Sequence, residues 1–136
     1  MRRHRPDVSV LAGTDLFAGY DERALAPLAA HADRLTVLPG ATLARAGRHP
    51  HEVVVLLSGE AQVLGGPADG STLGPGAVIG ASEELEGVAH AATVEAASGV
   101  SALVLTGPAF RWAAQELPGF RARLAVTVPR RSAVAA

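Results

Sequence analysis

Apolar and polar positions follow three successive regimes along the chain. From Asp15 to Ala32 the residues Leu16, Phe17, Leu25, Leu28 and Ala29 fall at helical spacings, and Asp21 is placed to cap a helix that begins after Tyr20. From Arg34 to Leu105 the pattern becomes one of short extended runs: Leu35–Leu38, Thr42–Ala44, Val53–Ser58, Glu60–Leu64, Ser71–Leu73, Ala77–Ile79, Ala91–Ala96 and Ser101–Leu105. Breaks fall between them at Pro39-Gly40, Gly47, Gly59, Gly65-Gly66-Pro67, Gly74-Pro75-Gly76, Gly87 and Gly99. Eight short strands without helix-length connections predict a barrel, jelly roll or sandwich, not a parallel sheet. After Thr106 the helical spacing returns. Pro108 suits a first helical turn, Phe110, Trp112, Ala113 and Leu117 supply a buried face, and Phe120 to Val128 forms a second short helix that Pro129 ends.

Composition narrows the function classes more than the fold. The 136 residues suffice for one core, and 12 basic against 13 acidic residues leave a net charge of −1, with no overall field to attract nucleic acid or an anionic membrane. Without cysteine there are no disulfides, thiolate metal sites or cysteine nucleophiles. The basic start Met1-Arg2-Arg3-His4-Arg5-Pro6 is not followed by the apolar stretch of a secretory signal. The apolar run Val53 to Leu57 is far too short to span a bilayer. The expected setting is cytoplasmic, with no membrane contact. The short arginine clusters at the two ends read as solvated charge.

The order of the turns is the most informative feature. Leu16-Phe17-Ala18-Gly19, Val37-Leu38-Pro39-Gly40-Ala41-Thr42-Leu43, Val53 through Val63 with its Ser58-Gly59 turn, Leu73-Gly74-Pro75-Gly76, Ala91-Ala92-Thr93-Val94 and Val104-Leu105 follow one another in this sequence. In that order they resemble the cyclic-nucleotide-binding domain family, the sensor module of catabolite-activator-type regulators. The resemblance covers roughly Leu16 to Val126. It implies a mainly β fold with flanking α-helices: an eight-stranded double-stranded β-helix, or jelly-roll-like β-roll, with an N-terminal helix and two short C-terminal helices. The implied division is an N-terminal arm over 1–14, the domain over 15–128 and a disordered tail over 129–136.

The resemblance also implies a site. In the family a short helix turns its N-terminal amides toward a cyclic phosphate, a glutamate takes the ribose hydroxyl and an arginine pairs with the phosphate. Aligned on Gly74-Pro75-Gly76 and Gly80, the glutamate position is Ala81 and the arginine position is His90. The implied ligand residues are Ile79, Gly80, Ala81, Ser82, His90, Ala91 and Ala92. Losing two hydrogen bonds to charged groups, each of about 1.5–3 kcal/mol, removes roughly two to four decades of affinity. Histidine is mostly neutral at pH 7 and lacks the bidentate guanidinium fork. Glu83 and Glu84 are expected as solvated acids at a helix N-terminus. The ligand expected is thus a weakly held cyclic nucleotide or none, with no cofactor.

Two other readings compete. His49-Pro50-His51-Glu52 has a superficial likeness to the metal motif of cupins, although adjacent strand residues point to opposite faces. Alternatively the pocket is vestigial and the roll is an interaction scaffold. No Gly-x-Ser-x-Gly elbow, Walker loop or His-Glu-x-x-His segment is present, and a non-catalytic role is expected. About thirty residues follow Leu105, too few for the DNA-binding domain of the family's regulators. Output is therefore expected through a separate protein partner or a homodimer built on the C-terminal helices. Core packing is the first expectation for Phe110 and Trp112, with a partner face as the functional option.

Overall fold

The computed structural model describes residues 2–127. It is mainly β, with antiparallel sheets and a few helices. In chain order the elements are β1 (Arg2–His4), α1 (Val8–Ala12), α2 (Glu22–Ala29), β2 (Ala32–Val37), β3 (Thr42–Ala44), β4 (Glu52–Ser58) and β5 (Ala61–Leu64). There follow β6 (Thr72–Leu73), β7 (Val78–Ile79), α3 (Ala81–Glu86), β8 (Thr93–Ala96), β9 (Val100–Thr106), α4 (Gly107–Glu116) and α5 (Phe120–Thr127).

Two sheets carry the strands in the orders β1-β2-β9-β4-β7 and β3-β8-β5-β6. The central pair of the first sheet, β4 with β9, has Val53 opposite Leu105 and Val55 opposite Leu103. Their near-continuous apolar sequences follow from burial on both faces. Val53, Val55, Leu103 and Leu105 pack with Leu25, Leu28, Phe110 and Phe120 of the helices. Their alternate neighbours Val54, Leu56, Ala102 and Val104 pack with Ala61, Val63, Val94 and Ala96 of the second sheet. The two-residue period thus divides one strand pair between two cores. Each fully buried Val or Leu stabilises this arrangement by about 1.5–3 kcal/mol. In the second sheet β5 reads buried, exposed, buried, exposed, as a strand with one wet face should.

The helices close the roll. Asp21 caps α2 by accepting from Arg23 N at 3.0 Å, as its position predicts. Thr106 caps α4 by accepting from Ala109 N at 3.2 Å, with Pro108 in the first turn. Phe120 of α5 stacks on Phe17 and meets Phe110 edge-on, with centroids 5.5 and 5.7 Å apart. Gly59 turns β4 into β5 at φ +87°, and a Cβ there would run into the Gly99 carbonyl. Only glycine fits that corner.

All eight expected strand segments contain a strand, but the described residues hold nine strands. The additional one, β1, has no exposed–buried alternation to announce it, because all three of its residues are exposed. Its backbone pairs with β2, Arg3 opposite Leu35. The segment expected as an arm also supplies α1, which is capped by Asp7 and buries Leu11. Its five residues are too few to show a helical period. β2 stops at Val37 and leaves Leu38 74% exposed. β8 starts at Thr93, because Ala91 and Ala92 form a bend. The expected tail, 129–136, and Val128 lie outside the described residues. Among the described residues no helix is long and apolar enough to cross a membrane.

Candidate functional site

Strand β7 delivers the chain to Gly80, which caps α3 at φ +91° and lies close to two neighbours. A Cβ on Gly80 would sit 3.3 Å from the Glu52 carbonyl oxygen and 3.4 Å from His90 Cε1. Glycine is favoured here by the left-handed backbone, and the nearby Glu52 carbonyl leaves little room for a Cβ. Gly87, at φ +70°, ends α3 with its amide donating to the Glu83 carbonyl at 2.8 Å. The chain then returns to His90, whose amide donates to the Arg48 carbonyl at 2.9 Å and whose carbonyl accepts from Gly47 N at 2.9 Å. The backbone of His90 is therefore fixed to the loop joining β3 and β4.

The side chain of His90 turns inward. His90 is 9% exposed and its Nδ1 lies 2.9 Å from Oε2 of Glu83, itself 1% exposed. An ionised carboxylate only accepts, so Nδ1–H is then the donor. Glu84, the next residue, faces another way: Arg111 Nη1 of α4 donates to its Oε2 at 2.9 Å, and its carboxylate rests against Gly107. The expectation of two solvated acids is thus overturned. Of the three acids on α3, Glu83 is buried, Glu84 is half-buried against α4 and Glu86 is exposed.

The other expected ligand residues divide between cores. Ala81 is 2% exposed and packs with the helical cluster, whereas Ile79 and Ala92 belong to the cluster between the sheets. Ser82 and Ala91 are half-buried. Cassette residues Gly80 through His90 do come together, but the polar contact they make is with each other. Sequence reasoning missed Glu83 as the partner of His90. Their separation of seven residues has no periodic meaning across a helix, a glycine stop and a loop.

On the outer side of His90 lies a cleft of about 280 Å³, framed by β3, the following loop and the start of β4. Its lining includes Arg45, Arg48, His49, His51 and Glu52. Arg3 Nη1 and Nη2 donate to Glu52 Oε2 and Oε1 at 2.9 and 3.1 Å, and Nη1 also reaches Asp33 Oδ2 at 3.3 Å. The hydrogen bond to Glu52, with lesser help from its charge and from Asp33, raises the Arg3 pKa above the usual arginine value against a smaller opposing effect of burial. His49 and His51 are exposed. Among the described residues, no three His, Cys, Asp or Glu side chains are grouped to hold a metal ion. The cupin-like motif is not assembled as a metal centre.

The C-terminal aromatics separate as well. Phe110 is buried, whereas Trp112 is 36% exposed and borders an apolar groove of about 300 Å³ with Pro27, Leu28, His31 and Pro108. Core packing therefore holds for Phe110 and not for the whole of Trp112.

Comparison with known proteins places this geometry. A family model for the cyclic nucleotide-binding domain matches residues 34–116. No curated protein sequence matches the chain. Among solved structures, a cAMP-binding acyltransferase from Mycobacterium smegmatis is similar at 33% identity and a TM-score of 0.74. The match covers 88% of this chain and 38% of the acyltransferase. The chain thus spans well under half of that enzyme's length. The sensor domain of the transcriptional regulator DNR from Pseudomonas aeruginosa is similar at 17% identity and a TM-score of 0.75, covering 92% of each chain. The regulatory subunit of a cAMP-independent protein kinase A from Trypanosoma brucei is similar at 22% identity and a TM-score of 0.73, covering 88% of this chain and 46% of that one. At these last two identities the likeness shows the fold.

Proposed function

Because the chain belongs to the cyclic nucleotide-binding domain family, we propose that it is a non-catalytic, cytoplasmic regulatory module whose cassette no longer holds a cyclic phosphate in the family manner. The observation that carries this reading is the buried bond between Glu83 and His90. To reach His90, a phosphate must displace Glu83 from the imidazole and then share the space with its carboxylate, and like charges at that range repel strongly. The methyl group of Ala81, packed in the helical core, supplies no acceptor for a ribose hydroxyl. The two missing contacts, at about 1.5–3 kcal/mol each, account for roughly two to four decades of lost affinity.

The 33% identity to a cAMP-binding acyltransferase supports a second reading, ordinary cyclic-nucleotide sensing. Isothermal titration of the chain with cyclic AMP and cyclic GMP separates the two. Dissociation constants above about 1 mM are expected; stoichiometric binding at about 10 µM or tighter overturns the proposal.

Signalling is assigned to a separate chain or a second copy meeting α4 and α5. Support comes from Trp112 on the outer face of α4 and from the Glu84–Arg111 bond that ties α3 to α4. Sedimentation of the chain alone distinguishes self-association from a need for another partner.

A further inference from the structure

We propose that the cleft outside His90 is a separate anion site, built to take the phosphate group of a small phosphate monoester. Its lining carries two arginines against one carboxylate, with His49, His51 and His90 beside them. That carboxylate, Glu52, is held in a two-bond fork by Arg3, so its charge is already answered from outside the cleft. Arg45 and Arg48 are exposed and have no acidic partner among the described residues. Arg3, Arg5 and Arg111, by contrast, are each bonded or paired to a carboxylate.

The backbone at the two arginines is also held at fixed positions. Arg48 N donates to the Arg45 carbonyl at 3.1 Å, closing a turn in which Gly47 has φ +83°. Ala46 N donates to Thr93 Oγ1 at 3.0 Å, and Gly47 N and His90 N complete the attachment to the neighbouring chain segment. The backbone that carries both guanidinium groups is thereby set before any ligand arrives, which reduces the ordering cost of binding. Guanidinium groups match phosphate geometry through paired N–H donors. The apolar floor of Leu43, Ala44 and Val54 leaves space for a short organic group. At about 280 Å³ the cleft lies just under the range of drug-sized pockets, which begins at about 300 Å³.

This site shares only His90 with the cassette, since Gly80, Ala81 and Ser82 do not line it, and the Nδ1 of that imidazole is already taken by Glu83, so the phosphate is assigned to Arg45 and Arg48. The test is a ¹⁵N–¹H NMR titration with inorganic phosphate, then with glycerol 3-phosphate, against sodium chloride at matched ionic strength. Saturable shifts are expected at residues 42–52 and at His90. Arg48→Ala and Arg45→Ala are each expected to weaken binding about 10-fold or more, as loss of a charge-assisted contact implies. Arg23→Ala, removing an exposed arginine of α2, is expected to change it less than about twofold. Circular dichroism confirms that each variant is folded. Shifts that do not saturate, that spread over all exposed arginines, or that survive Arg45→Ala and Arg48→Ala unchanged overturn the proposal. A cyclic nucleotide seated in the cassette would instead move the amides of Gly80–Glu84, so failure of the cassette reading and failure of this one are distinguishable.

Discussion

His90 divides two polar regions that differ in how their charge is answered. On the inner side its imidazole meets Glu83 in a bond that both residues bury. On the outer side the arginines of the cleft stand exposed without acidic partners among the described residues, and the one acid of the lining is turned away by Arg3. The inner region is polar chemistry consumed by the fold; the outer region is polar chemistry left available. Residue types alone do not distinguish the two, since histidines occur on both sides and acids near both. The difference lies in which groups are already paired.

The sharpest way to break this contrast is to remove Glu83. Losing one partner of a buried pair typically costs about 3–5 kcal/mol, and Glu83→Ala is expected to destabilise by that order in urea unfolding. Replacing both residues, Glu83→Leu with His90→Leu, is expected to cost less than either single change, because no polar group is then stranded. Single changes costing under about 1 kcal/mol would show that the pair is not held in a buried setting.

A smaller effect sharpens the outer half. Arg3→Ala releases Glu52, whose carboxylate then opposes an anion in the cleft. Phosphate affinity is expected to fall roughly 3- to 10-fold by NMR titration, the order of one moderately screened charge contact, while stability changes by less than about 1 kcal/mol. Unchanged affinity would mean that Glu52 does not face the ligand. The smallest effect is expected at Arg111→Ala. This breaks the partly exposed pair with Glu84 and should lower stability by no more than about 1 kcal/mol in urea unfolding. A larger loss would show that α3 depends on α4 for its position.

The roll was legible because its strands obey simple burial rules. Val53 to Ser58 announces a strand buried on both faces, and glycines needed for left-handed turns mark its neighbours. β1 was not legible, since an exposed three-residue strand joined by backbone bonds leaves no side-chain pattern. At the site, the turn order predicts the short helix after Gly80 and the return through His90, which the structure has, but the bond from His90 to Glu83 has no signal in the sequence. Acids on a short helix look solvated in sequence, and only the folded structure reveals that Glu83 is the enclosed one. The cleft was missed for a related reason. His49-Pro50-His51-Glu52 drew attention as a metal motif, whereas the structure pairs Glu52 with Arg3 and sets the histidines beside Arg45 and Arg48.

The most direct measurement of the central claim is calorimetric titration of the unaltered chain with cyclic AMP at pH 7. A closed cassette predicts no saturable heat below about 1 mM ligand. A one-to-one isotherm at about 10 µM or tighter, accompanied by amide shifts at Gly80–Glu84, would contradict it.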